Sequence, residues 1–305
     1  MLWEKREAKL ENFVHMEFAS PDFRAPDRLV HASKHWRMEY ILRKNSSPRV
    51  VIAFHGFARP LEDMMVFQGK WPENASVLSI HLMHHGQSGP VKLGDHPIPP
   101  SVWMDLIREV LTKHNLVESK VDLAGYSIGG RIALTLLAEA PTFWDHVLLL
   151  APDGLVKNPF YRITVHTRLG RMIWFAMDRH AEKVKRWNDR LLAWRIISKH
   201  LHGFGAFHMS SHEMRMMVWH GWRAHRCCWP RHVEITEALS KRESSGAKTT
   251  FIFGRKDKII PFRNSKRLRL MTRKHKHVQF EIIPSGHGML QAHIIDDLIN
   301  RTFCA

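Results

Sequence analysis

Residues 125–129 (GYSIG) place a serine between two glycines, and this is the pattern with the clearest chemical potential in the chain. An apolar run precedes it and a helix-forming stretch follows, which predicts a strand that turns sharply into a helix. Such a turn points Ser127 out of the sheet, and side chains at Gly125 and Gly129 would collide with their neighbours. The N–H of Ile128 then begins a helix, where an oxyanion can be held. We interpret Ser127 as a nucleophile.

An acid and a base of the types that a serine nucleophile needs follow two later strand-like runs. Asp257 lies a few residues past the run at 249–253, and His287 lies between two glycines after the run at 277–283. A serine hydroxyl is a weak nucleophile until an imidazole removes its proton, and a carboxylate fixes the imidazole tautomer and stabilises the imidazolium. The order Ser127, Asp257, His287 is the nucleophile–acid–base order of this type of sheet. The sequence therefore predicts a Ser-His-Asp triad.

Two other aspartates compete with Asp257 for the role of the acid. Asp153 follows the run at 146–151 and could reach the same edge of the sheet, but its context APDG favours a turn and a helix N-cap. Asp122 lies inside the strand that precedes the serine and would face sideways. Asp153 is therefore expected to have a structural role and Asp122 is discounted, which leaves Asp257 as the predicted acid.

A second oxyanion donor is predicted at the end of the run at 49–55, where the chain reads His55, Gly56, Phe57. In open α/β sheets ligands bind beyond the carboxyl ends of the strands, and Gly56 allows the chain to turn closely there. The N–H of Phe57, paired with that of Ile128, would form a two-donor hole, in which one donor is typically worth about 2.7–4 kcal/mol of transition-state stabilisation. His55 is expected to pack and hydrogen-bond the loop.

The elements that must position these residues alternate between strand and helix patterns. Short, nearly continuous apolar runs are typical of strands covered on both faces. These runs are residues 49–55, 76–82, 120–124, 146–151, 249–253 and 277–283, and residues 36–43 predict an antiparallel edge strand. The helical patterns are residues 60–70, 101–114, 128–140, 262–275 and 288–303. The alternation predicts an α/β fold with a doubly wound, mostly parallel sheet.

The alternation stops between residues 153 and 240, which contain no convincing strand pattern and indicate several helices. This stretch holds six of the eleven tryptophans and carries 15 Lys and Arg against 7 Asp and Glu. We expect an inserted helical cap, or lid, at 153–240. The core would then consist of residues 1–152 and 241–305, with 241–248 as the linker back to the sheet.

Together, the motifs HGF, GYSIGG, GRKDKIIP and SGHG resemble those of the α/β-hydrolase superfamily, in particular its cap-bearing serine esterase and carbon–carbon hydrolase branch. The resemblance implies hydrolysis of a carboxylic ester through an acyl-enzyme, with no cofactor. It also implies a role for each matching residue: nucleophile Ser127, acid Asp257, base His287, and oxyanion donors Phe57 and Ile128.

The resemblance covers residues 35–152 and 247–303, and a departure from the family pattern lies in the loop after the fourth strand. Members often carry D-x-x-G-x-G-x-S after the fourth strand, whereas this chain has His81 in the place of the aspartate. A serine at position 127 argues against the dehalogenase and epoxide-hydrolase branches, which use aspartate there. Two alternatives to ester cleavage stay open. One is hydrolysis of a carbon–carbon bond in a diketone-type acid by the same triad, and the other is a non-catalytic, ligand-binding member of the fold.

The chain is strongly basic, with 46 Lys and Arg against 29 Asp and Glu, a formal charge of +17 and a pI near 10.1. Such a charge favours acidic partners. We expect a small ester substrate with a medium or long acyl group or an anionic part, and an anionic lipid surface or an acidic carrier protein as a partner. No recognisable nucleic-acid-binding module is present, so nucleic acid is not expected as a partner.

Cysteine and histidine patterns predict neither a disulfide framework nor a metal site. The three cysteines are odd in number and include the adjacent pair Cys227 and Cys228, with Cys304 near the C-terminus, which favours a reducing compartment. His208 and His212 have zinc-compatible spacing but lack a third ligand and the glutamate of H-E-x-x-H. The N-terminal segment has no signal-peptide pattern, and no long apolar window occurs. We expect a cytoplasmic protein, at most peripheral to a membrane.

Overall fold

The computed structural model describes residues 27–92 and 97–303. The predictions about the N-terminal segment and about Cys304 lie outside the described residues. Cys227 and Cys228 are both free thiols. Within the described ranges, none of the helices combines the length and apolar character needed to cross a membrane.

A mixed sheet of nine strands forms the centre of the described structure. The strands are β1 (Leu29–Ala32), β2 (Trp36–Arg43), β3 (Arg49–Phe54), β4 (Ser76–Ile80), β5 (Gly89–Pro90), β6 (Lys120–Tyr126), β7 (Val147–Leu150), β8 (Thr249–Gly254) and β9 (Val278–Ile283). Their order is β1-β2-β4-β3-β6-β7-β8-β9, with β5 paired to β2. The strands from β4 to β9 along this path are parallel, and β1, β2 and β5 pair antiparallel. The predicted α/β fold with a mostly parallel sheet is confirmed.

The apolar runs that predicted the strands are buried for the expected reason. Every residue of β3, β4, β7 and β8 is buried, because helices cover the sheet on both faces. The antiparallel strand predicted at 36–43 is confirmed as β2, but its position at the edge is wrong, because β1 pairs outside it. β1 has only four residues and none of them is buried, so it lacks the apolar run that revealed the other strands.

Ten α-helices and four short 3₁₀ helices lie in the described residues. The α-helices are α1 (Pro100–Lys113), α2 (Ile128–Glu139), α3 (Pro159–His166), α4 (Arg168–Arg179), α5 (Ala181–Ala193), α6 (Lys199–His208), α7 (His212–Ala224), α8 (His232–Ser240), α9 (Lys266–Met271) and α10 (Ala292–Phe303). The 3₁₀ helices are Leu61–Phe67, Pro72–Asn74, Glu243–Ser245 and Phe262–Ser265. The single helix predicted at 262–275 is wrong in extent, because a 3₁₀ segment begins it and α9 ends at Met271.

Six of these helices, α3 to α8, fill the interval between β7 and β8. No strand occurs between residues 153 and 240, all of which are described. Helices α3 to α6 pack each on the next, and α7 packs against α3, α4 and α6. Helix α8 instead packs against α2 and α9, which flank the sheet. The division into a core and an inserted cap at 153–240 remains a proposal.

A buried ionic cluster joins three elements at the end of the sheet opposite to the carboxyl ends of the parallel strands. Arg49 at the start of β3 donates to both carboxylate oxygens of Asp122 at 2.8 and 2.9 Å, and also bonds Asp145 and Glu73. Asp122 further accepts from the indole N–H of Trp71 at 2.6 Å and from a backbone N–H at 2.8 Å. Its side chain is fully buried, and both carboxylate oxygens accept hydrogen bonds at the end of the sheet away from Ser127.

Removing the Asp122 carboxylate is expected to destabilise the protein strongly. Asp122→Ala leaves the Arg49 guanidinium buried beside an empty site and the Trp71 N–H without its acceptor, so we expect a loss of about 3–5 kcal/mol in the free energy of unfolding. Glu73→Ala removes an exposed partner of the same arginine and should cost less than about 1 kcal/mol. Urea unfolding of both variants measures the difference, and equal losses would contradict this account of the cluster.

Candidate active site

Ser127, Asp257 and His287 come together at the carboxyl ends of the parallel strands. Ser127 follows β6, Asp257 follows β8 and His287 follows β9. The His287 Nε2 atom lies 3.1 Å from Ser127 Oγ, and the His287 Nδ1 atom lies 2.8 Å from Asp257 Oδ2. The three side chains therefore form one hydrogen-bonded chain, although 160 positions separate the serine from the histidine in the sequence.

The backbone at Ser127 has the strained conformation of a sharp strand-to-helix turn. Its φ is 57° and its ψ is −119°, a region that residues other than glycine rarely adopt. Helix α2 begins at the next residue. The turn is tight because the backbone at Gly125 lies close to the backbone at Gly129. An added Cβ at Gly125 would lie 2.6 Å from the carbonyl oxygen of Gly129. This geometry presents Ser127 Oγ at the rim of the sheet.

Gly129 brings the start of α2 against the end of β3. An added Cβ at Gly129 would lie 2.5 Å from the carbonyl oxygen of His55 and would also meet that of Phe54. Gly130 allows a similar approach to Pro152, where an added Cβ would lie 2.7 Å from Cα. The elbow at Ser127 is thus held close to the loop that follows β3.

Adding a methyl group at Gly129 is expected to separate these two elements. Gly129→Ala must push α2 away from backbone atoms that cannot rotate aside, so we expect a loss of about 1–3 kcal/mol in the free energy of unfolding. The matched control is Gly203→Ala in α6, where an added Cβ meets nothing within 4 Å. Alanine there should be neutral or stabilising by up to about 1 kcal/mol. Similar unfolding midpoints for the two variants would refute the close approach.

Asp257 is fixed by more than its contact with the histidine. Its side chain is fully buried, and its Oδ1 atom accepts from the backbone N–H groups of Ile259 and Ile260 at 2.8 and 2.9 Å. The second oxygen, Oδ2, faces His287. Because a carboxylate only accepts, the His287 Nδ1 atom carries the proton, and Nε2 is left to accept from the serine hydroxyl. This is the tautomer that a general base next to Ser127 requires.

Tyr126, inside the GYSIG pattern, positions the histidine loop. Its hydroxyl donates to the carbonyl oxygen of His287 at 2.9 Å, and the two rings lie 5.3 Å apart. Burial raises the pKa of Tyr126, so its phenol stays protonated and keeps donating. The same ring explains Gly56, where an added Cβ would lie 2.9 Å from Tyr126 Cε1. No sequence pattern indicates this role, because a tyrosine at that variable position of the motif has no signature of its own.

Two backbone N–H groups are available to an oxyanion beside Ser127. The amides of Phe57 and Ile128 donate to no acceptor within residues 27–92 and 97–303. The neighbouring Ala58 N–H, in contrast, is bound to His85 Nε2 at 3.0 Å. Ile128 is the first residue of α2, where the helix leaves an N–H without an intrahelical partner. The contact of Gly129 with the end of β3 brings the Ile128 and Phe57 segments together.

Four buried histidines support the loop that carries Phe57. His55 accepts from the Leu82 N–H at 3.2 Å through Nε2 and donates from Nδ1 to the Gly56 carbonyl oxygen at 2.6 Å, as its expected structural role requires. His225 at the end of α7 accepts from the Met83 N–H at 3.3 Å. The rings of His81 and His85 pack edge-on against His55, with centroids 4.9 and 5.2 Å away.

Burial keeps three of these imidazoles neutral. It lowers the pKa of His85 and of His225 from 6.5 to about 3, and it lowers the pKa of His55 well below 6.5. Each neutral ring has one nitrogen that accepts and one that donates, which matches the pairs of backbone groups around it. The sequence did not reveal this cluster, because His85 and His225 are far apart in the chain and were masked by the abundance of histidines.

His81, which stands where related sequences often have an aspartate, lies beside the carboxylate of Glu39 in β2. His81 Nδ1 lies 2.8 Å from Glu39 Oε2, which also accepts from the Gln87 N–H at 2.7 Å. Burial acts to raise the pKa of Glu39, but the hydrogen bonds from His81 and Gln87 lower it below its ordinary value. An ionised carboxylate therefore still stands beside this loop, supplied by a neighbouring strand.

Asp153, the rival acid, lies outside the chain of three side chains. Its Oδ1 atom accepts from the Gly154 N–H at 2.7 Å, and its Oδ2 atom lies 3.6 Å from Arg131. The chain bends at Asp153, but the expected helix N-cap is wrong. Asn158 caps α3 instead, through a hydrogen bond from the Phe160 N–H.

The histidine pair with zinc-compatible spacing is split between different contacts. The His208 ring stacks on Phe57 with centroids 5.3 Å apart, and His212 Nδ1 lies 3.0 Å from Asp178 Oδ1. Elsewhere in the described residues, one group could place three ligand atoms within 4.8 Å of one another, namely Glu243, His275 and His277. These residues precede β8 and β9 and so lie at the amino ends of the parallel strands, whereas Ser127 lies at the carboxyl ends. The group therefore cannot take part in chemistry at Ser127.

Two basic clefts border the helices between β7 and β8. One, of about 450 Å³, is lined by α3 and by the segment at 226–229. The other, of about 730 Å³, lies between residues 154–157, residues 229–233 and the segment at 263–270. The larger cleft is lined by the cations Lys157, Arg231, Arg263, Lys266 and Arg267, with no acidic residue. Neither lining includes the three residues that meet at Ser127.

No protein-family model matches the sequence, and no curated protein matches it. Several solved structures do match. MGS-M2, an alpha/beta hydrolase enzyme from a Medee basin deep-sea metagenome library, is 15% identical, with 91% of this chain and 98% of that chain covered and a TM-score of 0.60. A hydrolase from Pseudomonas aeruginosa PA01 is 14% identical, with 92% and 100% covered and a TM-score of 0.59. A thermophilic esterase from Thermogutta terrifontis is 17% identical, with 91% and 96% covered and a TM-score of 0.53.

The chain has the α/β-hydrolase fold. Matches that cover nine-tenths of this chain must include most of the helices between β7 and β8 as well as the sheet. In the α/β-hydrolase fold of this chain, the loops after β6, β8 and β9 supply Ser127, Asp257 and His287. The loop after β3 and the start of α2 supply the two free amides.

Proposed function

We propose that this protein is a serine hydrolase that cleaves a carboxylic ester through an acyl-enzyme. The observation that carries the proposal is the continuous hydrogen-bonded chain from Ser127 Oγ through His287 to the buried Asp257 carboxylate. A neutral imidazole with its proton on Nδ1, aligned by an acid and adjacent to a serine hydroxyl, is an arrangement that activates the hydroxyl for attack. The free amides of Phe57 and Ile128 add the donors that a tetrahedral oxyanion needs.

Each step follows from the atoms in place. Ser127 Oγ attacks the ester carbonyl carbon while His287 Nε2 takes its proton, and the resulting oxyanion accepts from the Phe57 and Ile128 N–H groups. The tetrahedral intermediate collapses as His287 returns the proton to the leaving alkoxide, which departs as an alcohol. A water molecule then attacks the acyl-enzyme and gives its proton to the same imidazole. Collapse of the second intermediate releases the carboxylic acid and restores Ser127.

The preferred substrate is proposed to have a medium or long acyl group or an anionic part. Support comes from the tryptophan-rich helices at 153–240, several of whose aromatic rings face Phe57, and from the positive charge of the chain. Trp219 and Trp222 pack with Phe57 in one apolar cluster, and the two clefts beside these helices are lined with cations. An apolar wall near the oxyanion loop suits an acyl chain.

A fluorophosphonate probe tests the nucleophile, and p-nitrophenyl esters of increasing acyl length test the reaction. We expect the probe to label wild-type protein at Ser127 and not to label Ser127→Ala, and we expect turnover that rises with acyl length. Labelling without turnover of any ester would favour the carbon–carbon hydrolase, which a diketone-type acid would then reveal. Absence of both labelling and turnover in folded protein would favour a ligand-binding member of the fold and would overturn the proposal.

A further inference from the structure

Helix α4 turns an apolar stripe toward solvent. Leu169, Met172, Ile173 and Ala176 recur at the spacing of one helix face, and all four are exposed, with Met172 reaching 69%. The inward stripe holds the buried Gly170 and Trp174. A helix on the surface of a soluble protein normally buries its apolar face and exposes its polar face. Packing among residues 27–92 and 97–303 therefore does not account for the exposed stripe of α4.

The same character extends over the four consecutive helices α3 to α6, which we define as the outer helical surface, residues 159–208. Of the 18 large apolar side chains that are exposed within the described ranges, 11 lie on it. They include Trp187 and Trp194, which are 52% and 59% exposed and whose rings lie 6.2 Å apart. Soluble proteins seldom expose large apolar side chains in such density except at a docking site.

The outer helical surface is also positively charged. Residues 159–208 contain ten Lys and Arg against three Asp and Glu. The three acids are already engaged by the protein: Asp178 bonds Arg215, Glu182 bonds Lys185, and Asp189 bonds His202. Several cations flank the apolar side chains directly, as Arg190 does beside the ring of Trp187, with 5.4 Å from Cζ to the ring centroid. The surface therefore combines apolar area with an excess of positive charge.

This combination fits an anionic lipid surface better than the other occupants. Helices that lie in a membrane interface carry aromatic and aliphatic side chains on one face and Lys and Arg around it. A second copy of this chain would bring the same excess of positive charge against itself, and like charges in contact disfavour such a dimer. Nucleic acid would engage the cations but leave the apolar side chains without partners.

We infer that the outer helical surface docks flat on membranes that contain anionic lipid. The inserted side chains would be those of the α4 stripe together with Trp187 and Trp194, and the flanking cations would contact the headgroups. Docking there would bring the membrane near the loop that carries Phe57, because α6 and α7 contact both Phe57 and the helices of this surface. His208 of α6 stacks on Phe57, and an added Cβ at Gly221 of α7 would lie 3.5 Å from the Phe57 ring.

Vesicle cosedimentation tests the inference with vesicles of phosphatidylcholine alone and of phosphatidylcholine mixed with phosphatidylglycerol. We expect the full chain to bind the mixed vesicles at low salt, to bind phosphatidylcholine weakly, and to lose affinity as salt rises. Leu169→Ser, Met172→Ser and Ile173→Ser combined should lower the partition coefficient about 10-fold or more. The charge variant Lys183→Glu with Arg186→Glu should lower it by a similar factor without removing apolar area.

The matched control is Val91→Ser with Val117→Ser, which removes exposed apolar side chains elsewhere on the described surface and should leave binding unchanged. Thermal unfolding establishes that each variant is folded. Ser127→Ala should bind vesicles as the wild type does, so loss of the proposed hydrolase activity and loss of docking are separate results.

Three results would overturn the inference. The first is equal sedimentation of the wild type and the α4 variant with anionic vesicles. The second is a concentration-dependent dimer that the α4 variant abolishes, which would assign the surface to a second copy. The third is saturable binding to an acidic acyl carrier protein with no binding to either kind of vesicle, which would assign the surface to a protein partner.

Discussion

Replacing Ser127 with alanine is expected to lower kcat for ester hydrolysis by about 10⁶-fold, the order found when the nucleophile of a serine protease is removed. The substitution deletes the atom that lies 3.1 Å from His287 Nε2 and that would form the acyl bond. The substitution removes a neutral hydroxyl and leaves no buried charge without a partner, so the free energy of unfolding should change little. Steady-state kinetics with the best p-nitrophenyl ester, beside urea unfolding of the same preparation, separates loss of chemistry from loss of structure.

The assignment of Asp257 as the acid can be tested with two variants, each of which replaces an aspartate with asparagine. Asp257→Asn keeps an oxygen for the Ile259 and Ile260 amides but turns an NH₂ group toward His287 Nδ1, which forces the imidazole proton onto Nε2. We expect kcat to fall about 10⁴-fold, as the wrong tautomer cannot accept from the serine. Asp153→Asn should leave kcat within about 2-fold, because the Asp153 carboxylate contacts the Gly154 N–H and Arg131 rather than His287. The opposite ranking of the two variants would transfer the role of the acid to Asp153.

Much of this site could be predicted from the sequence because its parts are local. The elbow at Ser127, the turn at Gly56 and the histidine between two glycines each depend on residues within five positions of one another. Parallel strands then bring their carboxyl ends to one edge of the sheet, so placing each motif after an apolar run was enough to place it near the others. Local sequence thus predicted the positions of Ser127, Asp257 and His287.

The supporting layer could not be predicted, because its contacts join distant segments. His225 binds the Met83 N–H across 142 positions, and Glu39 meets His81 across two strands. Neither pair has a sequence signature, and 23 histidines in the chain obscure the few that are buried. The N-cap expected at Asp153 failed for a related reason: its side chain bonds the adjacent Gly154, and the helix begins several residues later, behind Asn158.

The buried histidines make the stability of the protein sensitive to acid, which is the second large effect that we expect. An unfolded histidine takes up a proton below its ordinary pKa of 6.5, whereas His85 and His225 in the folded protein do so only near a pKa of about 3. The unfolded state therefore binds more protons throughout the range from 6.5 down to about 3. Stability is fully present above pH 6.5 and is lost as the pH falls through this range.

The size of the effect follows from the number of imidazoles. Each histidine contributes about 1.4 kcal/mol for every pH unit below 6.5, so at pH 5 each costs about 2 kcal/mol. His85 and His225 together would then remove about 4 kcal/mol, a large part of the 5–15 kcal/mol typical of a folded domain. Burial also lowers the pKa of His55, which acts in the same direction. Urea unfolding between pH 5 and pH 7.5 measures this slope.

A single substitution tests whether the buried histidines cause the change of unfolding free energy with pH. His225→Gln keeps a polar group near Met83 but removes one titrating ring, so stability at pH 7.5 should fall while its slope with pH decreases by about 1.4 kcal/mol per unit. His293→Gln is the matched control, because His293 is exposed on α10 and its ring is hydrated in both states. An unchanged slope in His225→Gln would show that other groups cause the acid sensitivity. A reduced slope would assign that part of the acid sensitivity to the buried imidazole of His225.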